Sequence, residues 1–83
     1  MENIEKEELI SRITINPEVS QGKPSIRNMR FTVAQLLVLL AAGMTPAEIL
    51  DDYPYLEHED IMACLLYAAR MANVKSVIPL AAA

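Results

Sequence analysis

The sequence predicts a mainly α, α+β domain, in which a short N-terminal β-strand and hairpin precede a three-helix, helix-turn-helix-like core that forms a homodimer. Three observations lead to this fold class. First, β-branched residues and turn signals occupy the N-terminal part of the chain. Second, apolar segments with helix-capping residues occupy the C-terminal part. Third, the hydrophobic fraction is 53% in only 83 residues. A chain this short has little interior, so part of that apolar surface is expected to meet a second copy.

Extended structure is predicted near the N-terminus. Residues 12–15 alternate polar and apolar side chains and include β-branched ones, which is typical of a short strand, and Asn16-Pro17 ends it with turn chemistry. Residues 25–27 and 30–32 then flank Asn28-Met29. Because asparagine accepts a positive φ at modest cost, this spacing predicts a tight hairpin. A hairpin this small needs support from the helices or from another chain.

Two helices are predicted from their capping residues. Thr32, followed three positions later by Gln35, fits a capping box that opens a helix over residues 33–42. This helix is apolar nearly all round, so we expect it to be buried all round and to favour a dimer. Thr45-Pro46-Ala47-Glu48 is a second capping box with proline at the first helical position, and it opens a short helix over residues 46–52.

A third helix is predicted from residue 57 to residue 73. Its first turn carries Glu57, Glu59 and Asp60, which oppose the positive end of the helix dipole. Its core-facing stripe is predicted to comprise Ile61, Met62, Leu65, Leu66 and Ala69.

The expected organisation has three parts. Residues 1–11 form a flexible N-terminal segment, and residues 12–73 form the helix-turn-helix-like domain with its N-terminal hairpin. Residues 74–83 are an apolar tail. The sequence leaves three arrangements of this tail open: an added strand, packing across a dimer, or no packing at all.

Composition excludes several classes of function. A single cysteine, Cys64, and a single histidine, His58, exclude an intramolecular disulfide framework and a Cys/His zinc site within one chain. The longest apolar run has nine residues, 36–44, whereas a membrane span needs about 20. We expect a cytoplasmic protein that is not an enzyme, with no catalytic residues, no metal or other cofactor, no membrane association and no small-molecule substrate.

Charge divides the chain into two parts. Residues 9–32 hold four basic side chains and one acid, whereas residues 33–69 hold six acids and no lysine or arginine. If the protein binds DNA, the basic hairpin is expected to supply the phosphate contacts through Lys23, Arg27 and Arg30. In a helix-turn-helix the start of the last helix faces the bases, which here includes His58.

The acidic part supports an alternative from a different class of function. In this alternative the chain is an acidic protein–protein interaction module without significant DNA affinity. Asp51, Asp52 and Glu59 would then face a basic partner. The net charge of −4 favours this alternative.

Several short motifs, in order and with matching spacing, resemble a known family. They lie at residues 12–13, 16–17, 22–27, 30–33, 36, 40–50, 53–56, 59–61, 63 and 66–68. Together they resemble domain of unknown function 433, a small bacterial and archaeal family with a helix-turn-helix-like core that is viewed as VapB-like antitoxins. The resemblance implies a dimeric antitoxin-type regulator that neutralises a PIN-like ribonuclease toxin and binds its own operator DNA.

Overall fold

The computed structural model describes residues 2–73, and the predicted tail, 74–83, lies outside the described residues. The elements are α1 (Glu2–Ile10), β1 (Ile13–Thr14), β2 (Ser25–Ile26), α2 (Val33–Ala41), α3 (Pro46–Asp52) and α4 (His58–Ala72). This confirms a mainly helical α+β domain. None of the helices in this part of the chain has the length and apolar character needed to cross a membrane.

Within residues 2–73, the sheet consists of two very short strands. β1 pairs antiparallel with β2, with Ile13 opposite Ile26 and Thr14 opposite Ser25. On its other side, Ser25 forms an isolated antiparallel bridge with Thr32. The strand predicted at 12–15 is therefore present but shorter, at 13–14. The predicted pairing of 25–27 with 30–32 is limited to this bridge, where the Ile26 N–H donates to the Phe31 carbonyl and the Val33 N–H to the Pro24 carbonyl, both at 2.9 Å.

The hairpin turn lies one residue earlier than predicted. Its central residues are Arg27 and Asn28, with φ of 45° and 61°, and not Asn28 and Met29. The turn closes through a hydrogen bond from the Met29 N–H to the Ile26 carbonyl at 2.8 Å. Two successive positive φ values are characteristic of the turns that match strand twist, and the Asn28 N–H is anchored on Thr14 Oγ1 at 2.8 Å.

Helix α1 was missed by the sequence analysis. Residues 1–11 carried no predicted regular structure, whereas Glu2–Ile10 is helical and packs against α4. Glu7, in the second half of α1, is linked to α4 by an ion pair between its Oε2 and Arg70 Nη2 at 3.5 Å. The segment is rich in glutamate and lacks a strong apolar stripe, so its helical structure depends on tertiary contact that the local pattern does not reveal.

The two middle helices begin where their caps predicted. Thr32 Oγ1 accepts a hydrogen bond from the Gln35 N–H at 3.0 Å and opens α2, which ends at Ala41, one residue earlier than expected. Thr45 and Glu48 form the reciprocal capping box of α3, with N–H to oxygen distances of 2.9 and 3.1 Å. Helix α3 has the predicted bounds.

The core lies between the hairpin and the three C-terminal helices. Its buried members are Ile26, Phe31, Val33, Leu36, Ile49, Leu56, Ile61 and Cys64. Phe31 packs edge-on against Tyr53, with ring centroids 4.9 Å apart, and so joins the hairpin to the loop after α3. The aromatic contact and the two strands together hold the hairpin on the helical core.

Two burial predictions are wrong for the single chain. Helix α2 is not buried all round, because Val38 is 64% exposed and only Val33 and Leu36 are buried. On α4, Met62 and Leu65 of the predicted stripe are 40% and 42% exposed. The buried face of α4 is rotated toward the hairpin and comprises Asp60, Ile61, Ala63 and Cys64.

Candidate functional site

A buried carboxylate, Asp60, lies where the hairpin meets the start of α4. Its side chain is 0% exposed. Oδ1 accepts hydrogen bonds from Arg12 Nη1 at 2.9 Å and from Arg27 Nε at 3.0 Å. Oδ2 accepts from Arg27 Nη2 at 2.7 Å and from the Glu57 N–H at 2.8 Å. Each oxygen thus accepts two hydrogen bonds, and these interactions compensate for the cost of burying the charge.

The two arginines have further partners that fix them in place. Arg12 Nη1 also donates to Glu57 Oε1 at 2.7 Å. Arg27 Nη2 also donates to the Tyr55 carbonyl at 3.0 Å, and the Arg27 N–H donates to the Arg12 carbonyl at 2.7 Å. These hydrogen bonds connect the hairpin to the loop between α3 and α4 and to the first turn of α4.

The ionisation of this cluster follows from its geometry. Burial alone would raise the pKa of Asp60, but hydrogen bonds from Arg27, from the Glu57 N–H and from Arg12 outweigh it and lower that pKa. Hydrogen bonds to Glu57 and Asp60 raise the pKa of Arg12, and hydrogen bonds to Asp60 raise the pKa of Arg27. Asp60, Arg12 and Arg27 are therefore charged across the physiological pH range, and both oxygens of Asp60 are already taken by hydrogen bonds.

Lys23 and Arg30 converge on one open, polar cleft of about 480 Å³. Its other lining side chains and loop residues are Pro17, Glu18, Ser20, Gln21 and Thr32. The loop reaches this shape through left-handed backbone at Ser20 and Gln21, with φ of 51° and 59°. We call this surface the cationic cleft.

Arg27 and His58 lie outside the lining of the cationic cleft. Arg27 lines a different groove of about 700 Å³ with Arg12, Glu59 and Met62, and residues of α1 form the opposite wall. His58 is the first residue of α4 and is exposed. The structure thus brings together two of the four predicted DNA-binding residues, Lys23 and Arg30. A third, Arg27, forms an ion pair with Asp60.

The predicted partner-binding acids occupy two separate places. Asp51 and Asp52 are both exposed in the last turn of α3, which contains no basic residue. Carboxylates at this end of a helix face the negative end of its dipole, which is unfavourable for the helix itself. Glu59 instead lines the groove that contains Arg27.

Asp60 and Arg12 are the residues whose importance the sequence analysis missed. From the sequence, Asp60 is predicted only as one of three acids in the first turn of the third helix. Asp60 lies directly before Ile61 and four residues before Cys64, which places it on the apolar face of α4. This position is the signal in the sequence that could have indicated a buried carboxylate. Asp60 also accepts a hydrogen bond from the Glu57 N–H, which is the capping interaction that a spacing of three residues allows.

Comparison with known proteins identifies the family. The family model described as "Protein of unknown function (DUF433)" matches residues 13–68, which is more than half of the chain. The chain belongs to the DUF433 family. The DUF433 match includes the cationic cleft and Asp60 with Arg27, and it begins one residue after Arg12. No curated protein and no solved structure matched the chain.

Proposed function

We propose that this DUF433 protein is an antitoxin-type regulator that neutralises a PIN-like ribonuclease and binds its own operator DNA as a homodimer, with no catalysis of its own. The observation that carries the DNA-binding part is the convergence of Lys23 and Arg30 on one open cleft. The toxin partner rests on the resemblance to VapB-like antitoxins.

The chemistry of the cationic cleft suits a backbone phosphate. Lys23 and Arg30 are both exposed, and among the described residues neither pairs with an acidic side chain. Glu18 also lines the cleft, which leaves one net positive charge there. Ser20 and Thr32 add hydroxyl groups, which commonly donate to phosphate oxygens. In this proposal the cleft positions the protein on the duplex.

We propose a structural role for Arg27 instead of phosphate binding. Its Nε and Nη2 already donate to Asp60, so it is better suited to hold the hairpin than to bind phosphate. His58, exposed at the start of α4, remains the residue that we propose to face bases. The hairpin and α4 share the Asp60 ion pair, which keeps these two surfaces at a fixed spacing.

A homodimer is part of the same proposal, because operators are commonly read by two-fold symmetric proteins. Support comes from apolar side chains on the surface of the single chain. Met62, Leu65 and Ala69 lie on one exposed face of α4, and Val38 is exposed on α2. A monomer mass by light scattering at micromolar concentration would contradict this part.

A second candidate is an acidic interaction module that acts without DNA. The observation in its favour is the exposed pair Asp51 and Asp52, which lies at the end of α3 that disfavours negative charge. A basic surface on a partner protein would satisfy both carboxylates.

Fluorescence anisotropy with DNA from upstream of the gene, against a scrambled duplex at about 0.15 M salt, tests the DNA-binding proposal. Operator binding at least about 10³-fold tighter than binding to the scrambled duplex is expected. Lys23→Ala with Arg30→Ala is expected to weaken binding to both duplexes by at least about tenfold. Gln35→Glu with Ala42→Glu lowers the net charge by the same two units at exposed positions outside the cleft and controls for net charge. Equal losses in the two double variants would exclude a specific role for the cleft.

Binding to a PIN-like ribonuclease encoded beside the gene separates the two candidates. If Asp51 and Asp52 contact the partner, Asp51→Asn with Asp52→Asn weakens the complex by at least about tenfold in calorimetry. Gln35→Lys with Ala42→Lys adds the same two units of charge at other exposed positions. Tight partner binding with no preference for operator DNA would favour the interaction module, and no partner binding would contradict the antitoxin role.

A further inference from the structure

The tip of the hairpin carries an exposed asparagine side chain on a fixed backbone. Asn28, at the second central position of the turn, is exposed, and its N–H donates to Thr14 Oγ1 at 2.8 Å. Arg27, the other central residue, binds Asp60 in the first turn of α4. The backbone of the turn is therefore held from both sides, and only the Asn28 side chain is left to meet a ligand.

A neighbouring asparagine sets the orientation of this amide. The Glu18 N–H donates to Asn16 Oδ1 at 3.0 Å, and Asn16 Nδ2 donates to Asn28 Oδ1 at 3.2 Å. Because a backbone donor fixes the oxygen of Asn16, its nitrogen faces Asn28, and Asn28 presents its own oxygen in return. Within residues 2–73, Asn28 Nδ2 has no hydrogen-bond acceptor, and Oδ1 keeps one lone pair. A donor and an acceptor therefore remain available on an exposed amide.

The turn lies beside the cationic cleft. Pro17, which follows Asn16 in the sequence, and Arg30, two residues after Asn28, both line that cleft. A duplex held in the cleft through a backbone phosphate would bring the base edges of the adjoining groove toward the Asn28 amide.

We propose that the Asn28 amide reads an adenine in the major groove of the operator. Adenine presents there the N7 acceptor beside the N6 amino donor, which match the Nδ2 donor and the Oδ1 acceptor of asparagine. Guanine presents two acceptors, and neither pyrimidine offers an acceptor and a donor together. Asn16 is the positioning residue for this contact. The inference rests on the proposed operator binding and adds to it one residue and the base that this residue selects.

Replacement of single adenines by 7-deazaadenine in the duplex from upstream of the gene tests the contact. The analogue still pairs with thymine but has carbon in place of N7, so it cannot accept from Asn28 Nδ2. In fluorescence anisotropy, wild-type affinity is expected to fall about tenfold when one particular adenine of a half-site is replaced. Asn28→Gly keeps the left-handed turn and is expected to show no fall at that adenine. An equal fall in both proteins, or no sensitive adenine for the wild type, would overturn the proposal.

Two further variants separate base reading from the shape of the loop. Gln21→Gly removes an exposed amide from another left-handed position, with φ of 59°, and is expected to retain the full fall at that adenine. Asn16→Asp keeps the acceptor for the Glu18 N–H but removes the donor to Asn28, so a smaller fall is expected. Loss of adenine sensitivity in Gln21→Gly would overturn the specific role of Asn28.

The same titrations distinguish the two levels of the account. Operator binding that is specific but equally sensitive to 7-deazaadenine in the wild type and Asn28→Gly would overturn this inference alone. Equal wild-type affinity for the upstream and scrambled duplexes would overturn the proposed operator binding together with it.

Discussion

Arg27 and Asp60 form two parallel hydrogen bonds, Nε to Oδ1 at 3.0 Å and Nη2 to Oδ2 at 2.7 Å, across 33 positions of sequence. This bidentate pair joins the turn of the hairpin to the first turn of α4. Arg12 donates to the same carboxylate from the loop before β1. A fold with only two-residue strands thereby gains a fixed link between its extended and helical parts.

Replacing Asp60 by asparagine is expected to destabilise the domain by about 2–4 kcal/mol, because it removes the buried charge that both arginines require. Glu59→Gln, at the adjacent exposed position, is expected to change stability by less than about 0.5 kcal/mol. Urea unfolding at pH 7 followed by circular dichroism measures both. A loss below about 1 kcal/mol for Asp60→Asn would show that the ion pair contributes little.

The contribution of Asp60 to the free energy of unfolding is expected to decrease at acidic pH. Its pKa is lowered in the folded state from an ordinary 3.8, so the stabilisation is complete above that value. It is lost as the pH falls through the folded pKa, where the native carboxylate takes up a proton. The stability difference between the wild type and Asp60→Asn should therefore be constant from pH 7 to 5 and shrink below pH 4. Urea titrations at each pH would contradict this if the difference grew on acidification.

Asn28 is expected to tolerate glycine better than alanine. Its φ of 61° is in the left-handed region, which costs a residue with a Cβ about 1–2 kcal/mol. Asparagine already lowers this cost, so we expect Asn28→Ala to destabilise by about 1 kcal/mol and Asn28→Gly to stay within about 0.5 kcal/mol of the wild type. Thermal unfolding of the two variants under identical conditions gives the comparison, and equal melting temperatures would argue against a strained turn.

Cys64 is expected to be inert in the native protein. Burial, with a smaller effect of the Asp60 charge, raises the pKa of this thiol from 9.0 to about 12. At pH 8 the thiolate fraction is then about a thousandth of that of an ordinary thiol. In Met62→Cys, a disulfide reagent should modify one thiol rapidly and Cys64 only upon unfolding. Two equally fast thiols would contradict the buried placement of Cys64.

Local signals predicted the helices well, because their caps are encoded in adjacent residues. Thr45 and Glu48, with Pro46 at the first helical position, predicted the start of α3. Helix α1 was missed because its structure depends on contact with α4. The turn was misplaced by one residue because the positive φ of Arg27 is supported by Asp60, which is distant in sequence.

The candidate site was predicted in part. Residue type and local charge identified Lys23 and Arg30, and the fold brings both to one cleft. The same criteria placed Arg27 with them, although its guanidinium is held by Asp60. A count of charged residues in the sequence does not distinguish a side chain that stays in solvent from one that forms an ion pair with a buried group. That distinction required the packing of the hairpin on α4.

The salt dependence of operator binding tests the central claim most directly. Each phosphate contact contributes about 0.9 to the slope of log affinity against log salt concentration. If the cationic cleft binds backbone phosphate, Lys23→Ala and Arg30→Ala should each reduce the slope by about one per protomer bound, and Lys6→Ala should leave it unchanged. Slopes that are identical in all three variants and the wild type would contradict phosphate binding by the cleft.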